Sequence, residues 1–261
     1  MKLAVFRSVG TTFVFGLRHF PAFFLLSLLV YLPSLIYMAV SGKSEIGQFM
    51  LIDSWQNDLL TGVEMMLGAF VTAVMVWTLL HDRQGEGWAV LAGLREACAR
   101  LPMVLGVGFV FAVVMTMTIM AMEVLGEIAP VAALLPMLVI VVLSLVFAVT
   151  LPAAAMEEEG VIECIVRSAA LTGGSRLRIF AAYLLVGIPL AIAMGISIVV
   201  VLTYVVVPPD MEAFASLPMF WVLVGASVFN VFLFAAPVAF HEQLAELDDG
   251  IEMGETAAVF D

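Results

Sequence analysis

Long apolar blocks alternate along this chain with short polar punctuation. Uncharged stretches cover residues 20–42, 101–122, 128–156, 179–209 and 213–240, and a further stretch, 59–80, is broken only by Glu64 close to its start. A helix rising about 1.5 Å per residue needs about 20 apolar residues to cross a hydrocarbon layer roughly 30 Å thick. The pattern therefore predicts an all-α membrane protein with six spans, at about 20–40, 60–80, 103–123, 131–153, 181–206 and 218–240. The ten-residue alternation of barrel strands is absent. The first block is too long for the apolar part of a cleaved signal peptide, and Arg18 and His19 lie too far in, so it reads as a retained span.

A second, shorter pattern precedes each odd-numbered span. Phe6, Val9, Phe13, Leu17 and Phe20 recur at spacings of three and four, as do Leu91, Leu94, Cys98 and Leu101; Ile162, Ile165, Val166 and Ala169 form a third stripe. Such spacing gives one apolar face to a helix. Arg7-Ser8 stands eleven residues ahead of Arg18-His19-Phe20, and Arg167-Ser168 eleven ahead of Arg178-Ile179-Phe180. The block before the third span is shorter, with Arg95-Glu96 and then Arg100-Leu101-Pro102. Even-numbered spans end in Leu80-His81-Asp82, Met156-Glu157-Glu158 and Phe240-His241-Glu242. The repetition predicts three parallel hairpins, each an amphipathic segment, a span out and a span back. Glu96–Arg100 and Glu163–Arg167 suit i,i+4 pairing, worth about 0.3 kcal/mol each. The amphipathic segments suit either the headgroup layer or a cover beneath the bundle.

Basic residues orient the chain. Of its 10 Lys and Arg, only Lys43 falls on the far side of the six-span arrangement. Cytoplasmic loops attract Lys and Arg, so both termini are expected in the cytoplasm. Glu45, Asp53, Asp58, Glu123, Glu127, Asp210 and Glu212 gather in or beside the opposite loops, and Trp55, Trp77 and Trp221 near span ends.

Composition sharpens the picture. Apolar residues make up 64% of the 261 and charged residues 12%, against about 45–50% and about 25% in soluble domains. A water-soluble enzyme is excluded, because too little polar surface is present to cover a globule. The net charge of −12 owes seven acids to residues 241–261, which carry no Lys or Arg. Residues 1–240 are thus expected to form one membrane domain, followed by an acidic cytoplasmic tail, solvated and poorly ordered beyond its first turns. No basic–aromatic patch suggests nucleic acid.

Candidate chemistry is sparse. His19, His81 and His241 each stand at a cytoplasmic span end, where interfacial capping is the commoner role; a metal site would need them to converge with Asp82 and Glu242. Cys98 and Cys164 are expected on the reducing face and read as small apolar residues. Glu64 is expected in the first turns of its span, with its carboxylate reaching water, which leaves no charge at mid-membrane. Asn230 suits a helix–helix hydrogen bond, and Pro33, Pro136 and Pro189 suit static kinks. Gly187, Ala191 and Gly195 form a small-residue stripe for close helix packing, within the bundle or between protomers. Thr172-Gly173-Gly174-Ser175, with Arg176 and Arg178, offers either a helix stop or an anion-binding nest for a lipid phosphate.

One stretch carries a resemblance. Leu151-Pro152, Glu159-Gly160, Arg167-Ser168-Ala169, Leu171-Thr172-Gly173-Gly174 and Arg176 to Phe180 resemble the membrane domain attached to some bacterial glycerophosphoryl diester phosphodiesterases and its stand-alone relatives. The resemblance is topological over most of the chain and extends to motif over about 30 residues. It implies a six-helix module of the bacterial inner membrane and no activity by itself, since no polar segment here is long enough to be the catalytic domain. The expectation is a non-catalytic protein without cofactors, acting through membrane lipids, other membrane proteins or its own copies in envelope or lipid homeostasis. Arg7, Arg18, Arg95, Arg100, Arg167 and Arg178 are its candidate headgroup contacts. A transporter or permease component is the alternative, favoured by the repeat and the proline-broken spans, and disfavoured by the empty midplane.

Overall fold

Short helices lead into long ones throughout. The computed structural model describes residues 3–43, 45, 54–85, 88–156, 160–204 and 219–260. These are helical almost throughout and include no β-strand. The order is α1 (Val5–Arg18), α2 (Phe20–Val30), α3 (Leu32–Ser41), α4 (Ser54–Arg83), α5 (Ala89–Ala99) and α6 (Leu101–Ile128), followed by a 3-10 turn at Pro130–Ala133. It continues with α7 (Leu134–Val146), α8 (Thr150–Met156), α9 (Val161–Thr172), α10 (Arg176–Tyr204) and α11 (Met219–Phe260). Asp53, Glu157, Glu158, Asp210 and Glu212 lie outside the described residues.

Five helical stretches are long and apolar enough to cross a membrane, namely Gln56–Arg83, Leu101–Ile128, Leu134–Met156, Arg176–Ile196 and Met219–Ala245. A sixth is reached if α1 and α2, bent by 91°, count together. The chain is a multi-pass membrane protein. Its large apolar side chains, Leu25, Phe109, Met117, Leu138, Ile188 and Ile192 among them, face outward, as a hydrocarbon solvent permits.

The first expected span, 20–40, is not one helix. Pro33 sits in the first turn of α3 and has no N–H to give the Leu29 carbonyl. The Tyr31 N–H turns to Leu28 O instead, at 3.1 Å, and the helix breaks there. α11 runs on through Phe260, with Gln243 and Leu244 buried at the bundle end. Residues after 240 include four Glu and three Ala, good helix formers that extend a helix already nucleated by the buried span.

α4 and α11 form the centre. Val71, Val74, Met75 and Val76 pack with Val231, Phe232, Ala235 and Val238, and Phe15 and Phe23 close the same cluster. The short helices α1, α5 and α9 meet the bundle through small residues spaced by four: Ser8, Thr12 and Gly16 in α1, Ala89, Gly93 and Ala97 in α5, and Cys164, Ser168 and Thr172 in α9. A Cβ on Gly93 would stand 2.6 Å from Thr78 Oγ1 and 2.8 Å from Val74 O, so α5 rests directly on the α4 backbone. The larger apolar residues of these helices are divided. Val9, Phe13, Phe20 and Leu94 pack on the core, whereas Phe6, Leu17, Leu91, Ile162 and Val166 point away from it.

Candidate functional site

The breaks and the small residues leave space inside the bundle. A cavity of about 490 Å³ is lined by Tyr31 at the α2–α3 break, by Glu64 and Gly68 of α4, by Phe111 of α6 and by Phe147 at the α7–α8 break. Tyr183 of α10 and Asn230 and Phe234 of α11 complete its wall. The polar side chains cluster. Ser34 donates its hydroxyl proton to Glu64 Oε1, and Asn230 Nδ2 donates to the Tyr31 hydroxyl at 2.8 Å. One turn further along α3 and about two turns back along α4, Tyr37 donates to Gln56 Oε1 at 3.0 Å, so α3 is stitched to α4 at two levels. Asn230 thus makes the helix–helix bond that its residue type suggests.

Glu64 departs from the sequence-based expectation. α4 begins at Ser54, several residues before the apolar block does, so Glu64 lies ten residues in. That is about 15 Å along the axis. Its carboxylate is partly buried and faces the cavity. Among the described residues lining the cavity, Glu64 is the one with a formal charge. Apolar block boundaries misplace it because a helix start is set by backbone hydrogen bonding, and polar residues such as Gln56 and Asn57 can occupy that first turn.

The arginines take separate roles. Arg18 pairs with Asp82 at 2.8 Å, and His19 lies 3.6 Å from the same carboxylate. Arg83 pairs with Glu242 at 2.6 Å. These contacts fasten the α1–α2 elbow to the end of α4, and α4 to α11. Arg100 stands 5.6 Å from the Trp77 ring centre in cation–π geometry. Arg7 and Arg95 are exposed, and Arg167 is half-buried on α9.

The loop that suggests an anion nest does something else. Gly173 is right-handed helical, and among the described glycines only Gly42 and Gly85 have positive φ, so neither Gly173 nor Gly174 supplies the left-handed residue of a nest. Ser175 Oγ accepts from the Leu3 N–H at 3.3 Å, and Arg178 donates to Leu3 O at 3.0 Å. This end of α10 holds the N-terminal backbone, with Arg178 exposed and one of its guanidinium nitrogens engaged there.

A third junction lies between α7 and α8. The Thr150 N–H bonds Phe147 O at 3.1 Å, a tighter turn that frees the Val146 carbonyl. Ser168 and Thr172 of α9 donate to that carbonyl at 3.0 and 3.2 Å. Thr172 Oγ1 also lies 2.8 Å from Ser168 O, so its single proton is shared between the two carbonyls, and Thr12 donates to Ser8 O at 2.9 Å in α1. The Ser168 and Thr172 hydroxyls of the recognisable motif are thus packing devices at a broken span.

The Gly187, Ala191 and Gly195 stripe is not an intramolecular contact among the described residues, since a Cβ on Gly187 or Gly195 would meet nothing within 4 Å. α10 instead packs through Ile179, Ala182 and Val186, and the stripe lies about 100° round the helix from that face. Cys98 is exposed and Cys164 buried, and neither is in a disulfide among the described residues. No protein-family model, curated protein or solved structure matches this chain.

Proposed function

We propose that this chain is a non-catalytic protein of the bacterial inner membrane, with both termini cytoplasmic, that acts through contacts with lipids or membrane partners. The observation that carries the reading is the packing of α1, α5 and α9. Each seats a line of small residues on the bundle while Phe6, Trp88, Leu91, Ile162 and Val166 point outward beside arginines. Large apolar side chains next to cations suit the boundary between acyl chains and anionic headgroups. Three short helices each turning into a long one, and the matching Thr12–Ser8 and Thr172–Ser168 bonds, support the three-hairpin repeat. The same residues support the likeness to the phosphodiesterase-associated membrane domain and a role in envelope or lipid homeostasis.

Trp88 tests the reading, because its side chain is 80% exposed at the start of α5. A variant keeping Trp88 alone is placed in nanodiscs with a quencher at the headgroup or deep in the acyl layer. Blue-shifted emission with strong shallow quenching is expected. Water-like emission untouched by either quencher would overturn the proposal. The cavity favours a second reading, a transporter component, because it places a carboxylate inside the bundle. Proton-driven uptake lost in Glu64→Gln would promote that alternative.

A further inference from the structure

We infer that the cavity between α4, α6 and α11 is a binding site for an amphiphilic organic cation, with Glu64 at its charged end and Phe111, Phe147 and Phe234 along its wall. The inference goes beyond the lipid-contact reading, which concerns the outer faces of the short helices. The volume of about 490 Å³ falls within the roughly 300–1,000 Å³ of small-molecule pockets. The wall is largely apolar and aromatic, Glu64 carries its one formal charge, and Tyr31 and Asn230 are bonded to each other beside it, with Thr61, Thr72, Ser144 and Tyr183 as the remaining polar side chains. That is the division of labour of a ligand site, in which surface area supplies affinity and few polar groups set orientation.

The sign of the ligand's charge follows from the donors present. An ionised carboxylate offers about four lone-pair positions, and Ser34 supplies a donor to one Glu64 oxygen. Among the described lining residues no Lys, Arg or His is present to balance it. A carboxylate in an apolar enclosure is costly unless a cation or donors join it. An ammonium or phosphonium centre supplies that charge, and aromatic faces add attraction for it. A phosphate or carboxylate headgroup would meet like charge with no cation to offset it. A neutral acyl chain would fill the volume without using the polar end.

The full-length protein in nanodiscs, with empty nanodiscs subtracted, is dialysed against tetraphenylphosphonium, against tetraphenylborate as an anion of the same shape, and against neutral tetraphenylsilane. Saturable binding of the cation alone is expected, falling about tenfold in Glu64→Gln. Met115→Trp, which fills the cavity and leaves the charge in place, is expected to remove binding of the cation as well. It carries the test by itself if Glu64→Gln does not assemble. Absence of saturable cation binding, equal binding of the borate or silane, or unchanged affinity in Met115→Trp would overturn the inference. None of these outcomes bears on the depth of Trp88, so failure here and failure of the lipid-contact reading are distinguishable.

Discussion

Gly93 and Gly187 show how little a residue's type says without its neighbours. A methyl on Gly93 would be forced against the α4 backbone, whereas one on Gly187 would enter open space. Gly93→Ala is therefore expected to destabilise the detergent-purified protein by about 1–3 kcal/mol. Gly187→Ala should leave its thermal melting unchanged or slightly raised. The arginines divide in the same manner. Arg178→Ala removes the bond to Leu3 O, so hydrogen exchange near the N-terminus should rise with a stability loss of about 1 kcal/mol. Arg95→Ala, on an exposed face, should leave melting unchanged and lower the retention of anionic lipid, by about 1 kcal/mol in affinity. Equal melting of the two arginine variants would contradict this division.

At the scale of elements, the recurring device is a broken helix whose freed backbone groups are met by a neighbour. α7 and α8 meet at a turn that exposes the Val146 carbonyl, and α9 brings two hydroxyls to it. Removing both donors, in Ser168→Ala with Thr172→Val, strands a carbonyl where water is scarce. The expected loss is about 1–3 kcal/mol, read as earlier thermal aggregation, with each single variant losing less than half because the other hydroxyl still serves. Additive single losses would show that the hydroxyls act independently of Val146. The ion pairs at the bundle end belong to this scale too, because Asp82 joins the α1–α2 elbow to α4. Asp82→Asn should loosen the elbow and expose Cys98 no further than it already is, so a Cys98-labelling rate unaffected beside faster exchange in α1 is the expected signature.

For the whole molecule the testable quantity is topology. With Cys98 and Cys164 replaced, a cysteine at position 43 should label from outside intact cells, and cysteines at 95 and 178 only after the cells are opened. Labelling of position 43 only in opened cells would reverse the orientation drawn from the basic residues. The other five crossings coincide with expected ones, because the need for about 20 apolar residues is written locally in the chain. The first expected crossing is divided because a single proline removes one hydrogen bond inside an otherwise uniform apolar run.

Helical class, the membrane as solvent and the approximate crossings were legible in the sequence alone, since each depends on residues adjacent along the chain. The inward facing of Glu64 was not, because it depends on where α4 starts and on Ser34 reaching it from a different helix. Nor did the stripes of large apolar residues show which face of α1, α5 and α9 meets the bundle. In a hydrocarbon solvent those residues gain little by burial, and close backbone approach through Ser8, Gly93 or Ser168 decides the packing instead. The cavity exists only through the meeting of two helix breaks with Gly68 and Gly108 across the bundle. Tertiary structure alone decides such an encounter, because its parts lie far apart in sequence and share no local pattern.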